Sequence, residues 1–549
     1  MANSSRVTTL QAWSSDNDIC IEPSIKLKEH ATMGIHIVSS QSIDAGVTVA
    51  SIPKSSILSV RSCSSADRIP FVPYGHDAHL ALSLALYSEL LKGDASRWHG
   101  YLQSLPSDPV PIALLWDVEE VESPDEDGKE GRAWLTGTEV DKEICGEYGL
   151  NLMDEIRRYC TSTALPLLSE LGISSTLRGF LHAYSLVSSR AFLVDAYHGL
   201  SMVPVADAFN HIVENHVHLE SDFDVCPACG SLSECPHDRD DIPTLGSTSH
   251  SSDQSSKNSE LLGIPSPDTC DMVTNRPVPP GTEVFNTYGS HLSNAALLTR
   301  YGFTLEGNEN DIISFDLSEI DLLIDDGLMP SFPIQNATFQ HMYLHLVKSW
   351  TRSKTSLVEE GSTLVYRPFP GESQNEEGKT RFAGSQSLLH INSDAQITTY
   401  LWLYAGLRSI YTLWGDIVEG RQPTEGFQPR PEDVDDIVSL LGDVMEEQVL
   451  LESSVDSDGD DTDEKEGPVE GGKSTSQLVL TQIKHIISIL CTRRISRLGK
   501  NPDLSAADLG ELLDNLPGDR PKTRLALTHV ISERSILESC KLAWCELGG

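Results

Sequence analysis

The sequence predicts an α+β fold in which a small β structure is interrupted by a helical block and followed by a helical C-terminal region. Three observations carry this. β-branched runs cluster between residues 20 and 60, a helical hydrophobic period takes over from Asp77, and short β runs return after residue 200 before helical patterns fill the chain beyond about 335.

The early runs are Ile35-His-Ile-Val38, Val47-Thr-Val-Ala-Ser-Ile52 and Ile57-Leu-Ser-Val60, punctuated by Asp44-Ala-Gly46 and Pro53. Leu80, Leu84, Tyr87 and Leu91 then fall on one helical face, and further helices are expected around 138–159 and 163–188. Strand patterns return at Met202-Val203, Met272-Val273 and Val284-Phe285. Between them, 239–267 is rich in Ser, Asp and Pro and lacks the apolar surface to fold alone. Similar breaks are expected at 119–131, 369–384 and 453–477, the last carrying the acidic run Asp456–Glu464. Helices are expected at 338–351, 396–416, 432–451, 476–497 and 521–545, with no repeat that would make them a solenoid.

At 549 residues the chain is long enough for several domains. Its 40 Lys and Arg against 81 Asp and Glu give a formal net charge of -41, which repels phosphate backbones and attracts basic partners. Direct nucleic-acid binding is therefore not expected, and a Lys/Arg-rich protein is. The odd count of eleven cysteines, with no basic-then-apolar leader, predicts a reducing compartment, nucleus or cytoplasm. The best apolar stretch, Ala78–Leu91, is broken by polar residues and falls short of the roughly 18 residues that span a bilayer, so no membrane association is expected.

Two segments concentrate polar chemistry at strand ends: Ser201-Met-Val-Pro-Val-Ala-Asp-Ala-Phe-Asn-His211, and Glu283-Val-Phe-Asn-Thr-Tyr-Gly289 followed by Leu297-Leu-Thr-Arg-Tyr-Gly-Phe303. Together with Ser189-Arg190-Ala-Phe192 and Asn294, they resemble, in order and spacing, the split signature of SET-domain protein-lysine methyltransferases. The likeness is to the Rubisco large-subunit methyltransferase class, nearest its SET-domain protein 6-like and fungal ribosomal lysine methyltransferase branches. Trp98-His-Gly-Tyr-Leu-Gln-Ser-Leu-Pro106 and Trp134-Leu-Thr-Gly-Thr138 resemble elements of that class's helical insertion.

The resemblance implies a SET β-fold with a helical insertion and an α-helical C-terminal domain that binds substrate. Its parts would be 20–66 and 189–310 for the SET domain, 67–188 for the helical insertion, 219–268 for a second insertion, and 311–549 for the C-terminal domain. It implies S-adenosyl-L-methionine as cofactor, Tyr288 as the catalytic phenol, and cofactor contacts from Gly34, Ile35, Arg190, Asn210, His211, Tyr288 and Phe303. Arg190, Asp207 and Tyr301 would face the substrate lysine. In the first cofactor motif, Met33-Gly34-Ile35-His36, histidine stands where the family has a second glycine, which bears on the turn geometry there. The competing expectation is a catalytically weak SET protein that acts as a binding module for a basic protein. Either would be a monomer.

Inside the second insertion, Cys226-Pro-Ala-Cys229-Gly-Ser-Leu-Ser-Glu-Cys235-Pro-His237 pairs a Cys-x-x-Cys turn with a Cys-x-His step. Thiolates plus imidazole favour zinc over hard cations, and nothing in methyl transfer needs a Lewis acid, so any zinc would be structural. Reduced thiols in a loop are the competing reading. His216, His218 and Cys270 are spare ligand candidates.

Overall fold

The computed structural model describes residues 5–30, 34–119, 125–145, 151–239, 268–317, 320, 336–353, 361–368, 388–417, 433–455 and 474–548. The expected breaks at 239–267 and 369–384 fall almost entirely outside these residues, as does Met33, while the break expected at 453–477 is described only at its ends, where 453–455 finish one helix and 475–477 begin the next.

The β structure begins with β1 (Cys20–Ile21), β2 (Ile25–His30), β3 (Gly34–Ser39), β4 (Thr48–Pro53) and β5 (Leu58–Ser59). β2 and β3 form an antiparallel pair with Leu27 opposite Ile37. Alternation of Ile25 and Leu27 with Lys26 and Lys28 buries the first pair and exposes the second. After the helical block come β6 (Ala191–Leu193), β7 (Leu200–Met202), β8 (Val217–Ser221) and β9 (Thr269–Thr274). They complete sheets begun far upstream, one ordered β1-β4-β9-β8 and one β5-β7-β6. In the first sheet Ser51 faces Asp271, and its hydroxyl donates to that carboxylate at 2.6 Å.

The helical block packs helix His76–Lys92 against helix Leu177–Arg190. Thr176 caps the second, accepting from the Gly179 amide. This helix runs past residue 188, so Arg190 ends it and the chain enters β6 directly.

Two sequence expectations are corrected here. Residues 126–131, expected to be part of a break, begin helix Glu126–Trp134. The Asp127 carboxylate accepts the amides of Lys522 at 2.8 Å and Thr523 at 3.0 Å, in the first turn of helix Pro521–Glu546. The acidic composition that suggested a loop thus serves as a long-range helix cap. The C-terminal region, expected to be wholly helical, also holds a small sheet of β10 (Ile312–Ser314), β11 (Val365–Tyr366), β12 (His390–Asn392) and β13 (Ile397–Thr398). Its order is β10-β12-β13-β11. Strands this short leave no period for a sequence to display.

Two apolar cores result. The first joins the β structure to the helical block, and the second is built from residues 313 onward. Helix Pro521–Glu546 belongs to both: Ala526, Leu527 and Val530 pack in the first core, Ile536, Leu537, Cys540 and Trp544 in the second. A buried ion pair sits beside this helix, Arg494 to Glu139 at 2.7 Å, and the Glu139 amide donates to Glu533 at 2.7 Å. Among the described residues no helix is long and apolar enough to cross a membrane.

Candidate active site

The site forms where two chain segments run side by side. His211 bridges Asn286 in parallel, the Asn286 amide donates to the Asn210 carbonyl at 2.8 Å, and the Ile212 amide donates back to the Asn286 carbonyl at 3.0 Å. β3 lies antiparallel beside the second segment through the Val38–Glu283 bridge and the Val284 amide, which donates to the Ile37 carbonyl. Gly34 is therefore at the end of β3 nearer Tyr288.

Aromatic rings fill the junction. Tyr288 lies between His211 and Tyr301, stacked at centroid distances of 5.1 Å and 4.7 Å, with Phe303 edge-on at 6.4 Å. Tyr301 and Phe303 arrive there because Ser293 caps helix Asn294–Arg300, accepting from Ala296, and the chain turns at Gly302 with φ +81°. The Asn294 side chain fixes that return by donating to the Leu305 carbonyl and to Asp311.

The protonation states follow from partners and burial. The His211 Nδ1 accepts the Tyr288 amide at 3.0 Å, which leaves the proton of the neutral ring on Nε2. Burial holds its pKa down to about 4. The Tyr288 hydroxyl donates to the Phe209 carbonyl at 3.3 Å. Burial pushes its pKa above the usual phenol range, against the opposing field of Arg190, so the group stays protonated. The Tyr301 phenol is pushed up in the same way.

Charge surrounds the phenol. Arg190, Asp207 and Glu283 all act on it electrostatically. Arg190 donates through Nη1 to the Asp207 carbonyl at 2.8 Å, while its Nε is buried with no partner. The Asp207 carboxylate accepts from the Tyr101 hydroxyl at 2.8 Å, and burial raises its pKa despite the nearby Arg190. The Asn210 side chain donates to Glu283 at 2.6 Å.

The structure thus brings Arg190, Asp207, Asn210, His211, Tyr288, Tyr301 and Phe303 together, with Gly34 and Ile35 on the adjoining strand. At Gly34 φ is +76°, and a side chain there would meet nothing within 4 Å. The backbone conformation is what calls for glycine. His36 pairs with Lys28 in the body of the strand and does not have positive φ, so histidine meets no backbone conflict where the family pattern has glycine. Sequence reasoning did not single out Tyr101, Glu283 or Asn286. All three lie inside the signature segments, but no local signal announces that Tyr101 has a partner 106 residues away.

Cys226, Cys229, Cys235 and His237 also come together, with ligand atoms all within 4.8 Å of one another. The spare candidates do not join them. The His216 ring accepts the Phe285 amide, His218 pairs with Glu220, and Cys270 is buried in β9.

No family model matches the chain. Ribosomal lysine N-methyltransferase 3 of Saccharomyces cerevisiae is 26% identical over 339 residues, covering 52% of this chain and 60% of that protein. N-lysine methyltransferase SETD6 of Homo sapiens is 26% identical over 281 residues, covering 50% of this chain and 49% of that protein. The chain therefore spans about half to three-fifths of the length of these curated relatives. Among solved structures, the SET domain of LSMT bound to lysine and AdoHcy superposes with a TM-score of 0.56 at 17% identity, covering 100% of this chain and 92% of that one. Rubisco LSMT bound to AdoMet gives 0.52 at 15% identity, covering 99% and 92%. The fold is that of the SET domain, with a helical region C-terminal to it.

Proposed function

We propose that this chain is an S-adenosylmethionine-dependent protein-lysine N-methyltransferase. The observation that carries the reading is the junction itself, where a protonated phenol and a backbone carbonyl meet inside an aromatic stack. Such a site suits a neutral amine. The Phe209 carbonyl can accept an amine N–H, the stacked rings of Tyr288 and Tyr301 can line a channel for an alkyl stem, and the Tyr288 dipole can orient the lone pair.

When bound, the cofactor would supply an electrophilic sulfonium methyl as the group transferred to the amine nitrogen, with the thioether as leaving group. The residues present fit it. The orphaned Arg190 Nε offers a buried donor to a carboxylate, and the open space beside Gly34 lets a ligand approach the backbone. On this reading Gly34, Ile35, Arg190, Asn210, His211, Tyr288 and Phe303 hold the cofactor. Arg190 and Tyr301 also face the lysine, while Asp207, tied to Tyr101, sets the charge on the substrate side through its field. His211, held neutral, adds no positive charge beside a sulfonium.

The net charge of -41 favours a basic protein substrate. Ribosomal proteins are the first class to try, given the name of the yeast relative. His36, the residue behind the competing binding-module reading, adopts ordinary strand geometry, which weakens that alternative. The test is transfer of labelled methyl from S-adenosylmethionine to ribosomal proteins and histones, read by mass spectrometry at lysine. Label on a lysine ε-nitrogen is expected; no transfer together with no calorimetric binding of the cofactor would overturn the reading.

A further inference from the structure

We propose that Cys226, Cys229, Cys235 and His237 bind one structural zinc ion that holds the insertion after β8 in shape. The distances between the ligand atoms are the first argument. Zn–S bonds of about 2.3 Å and Zn–N bonds of about 2.05 Å at tetrahedral angles place sulfur atoms about 3.8 Å apart, and sulfur about 3.6 Å from nitrogen. Here Cys229 Sγ and Cys235 Sγ are 3.6 Å apart, and His237 Nδ1 lies 3.6 Å from Cys235 Sγ and 3.8 Å from Cys226 Sγ. Three of the six edges of a tetrahedron around one small ion are thus present at their expected lengths, and all four ligand atoms lie within 4.8 Å of one another. A disulfide would need its sulfurs about 2.05 Å apart, and all four ligands would be used, leaving no open position for catalysis.

The backbone forms a tight turn at the first of these cysteines. The turn closes with the Gly230 amide on the Cys226 carbonyl at 2.7 Å and the Cys226 amide on the Ser231 carbonyl at 3.0 Å. Gly230 has φ +75°, and a side chain there would strike the Tyr197 ring at 2.9 Å. The knuckle therefore seats on Tyr197, in the loop that joins β6 to β7.

Energetics give an independent reason for a metal. Across 222–237 the buried side chains are Val225 and Cys235, while Phe223 and Leu232 are about half exposed. Ordering each residue costs on the order of 1–2 kcal/mol of chain entropy, more than one valine returns. Coordination supplies the deficit. Lys54 anchors both ends of the insertion, with its ammonium 2.8 Å from Asp268, 3.0 Å from the Asp222 carbonyl and 2.8 Å from Asp195.

The test is metal analysis of protein purified under reducing conditions without a histidine tag. About one equivalent of zinc is expected, and cobalt(II) exchanged into the chelated protein should give the visible bands of tetrahedral thiolate coordination. Cys229→Ser and His237→Ala change exposed side chains, so neither opens a core. Each should weaken metal affinity at least about tenfold at unchanged circular dichroism, whereas Cys545→Ser, at an exposed thiol elsewhere, should not. Zinc near zero with no cobalt band, or a Cys229–Cys235 disulfide in freshly isolated protein, would overturn the proposal. None of these readouts depends on methyl transfer, so the two proposals fail separately.

Discussion

At the scale of single residues, Tyr288 separates chemistry from binding most cleanly. Tyr288→Phe keeps the ring between His211 and Tyr301 but deletes the hydroxyl that meets the Phe209 carbonyl. Loss of one preorganised donor costs about 10²–10³ in kcat, so turnover should drop by that factor while cofactor affinity stays within about threefold. Single-turnover rates beside calorimetry would expose the opposite pattern. His211→Ala differs, because it orphans the Tyr288 amide. That variant should lose about 1–3 kcal/mol of stability and bind cofactor more weakly, which a thermal shift with and without cofactor can read. Much of this constellation was legible in the sequence because Asn210-His211 and Tyr288-Gly289 sit in short motifs whose order survives an insertion between them. The hydrogen bond that engages Asp207 was not. Its carboxylate is claimed by Tyr101, and nothing local in either segment announces the other.

Among secondary-structure elements, legibility followed length. Strands β3, β4 and β9 and the long C-terminal helices appeared where β-branched runs or a 3.6-residue period placed them. The segments at 283–289 did not become a regular strand. They hold their place through isolated bridges to Val38 and His211, a geometry with no pattern of its own. Helix Glu126–Trp134 was hidden for a different reason, since its acids look like loop composition while Asp127 in fact caps a helix nearly 400 residues downstream. Asp127→Ala should therefore lower stability by about 1–2 kcal/mol, the usual worth of a cap, although the residue touches neither the aromatic stack nor the thiols. An unchanged denaturation midpoint would mean that water satisfies the Lys522 and Thr523 amides equally well.

Across the whole molecule, one helix shared by two cores ties their stabilities together. Leu527→Ala cuts into the first core and Leu537→Ala into the second, each at a fully packed position costing about 2–5 kcal/mol. Because the same helix carries both, calorimetry should show one transition that either variant shifts downward. Two separated transitions, each moved by one variant only, would mean that the cores melt independently. That transition should also weaken in acid. Burial holds the pKa of both His79 and His211 down to about 4, and the His79 ring is fixed by its Nδ1 bond to the Gly75 carbonyl. An unfolded histidine titrates near 6.5, so between about pH 6.5 and 4 the unfolded chain binds more protons than the folded one. Their stabilising contribution is complete above pH 6.5 and fades as pH falls, at up to about 1.4 kcal/mol per unit for each ring. His529 runs the other way. Burial alone would lower its pKa, but Glu533 at 2.9 Å outweighs that and raises it, so its contribution is full below pH 6.5 and lost as pH rises through the folded value. Because the His529 contribution is already complete below pH 6.5, it does not offset the depressed rings, so the histidine contribution falls toward pH 4, and His79→Gln should flatten the decline by one ring's share. Chemical denaturation at half-unit steps from pH 7 to 4 gives the slope directly, and equal slopes in wild type and variant would remove His79 from the account.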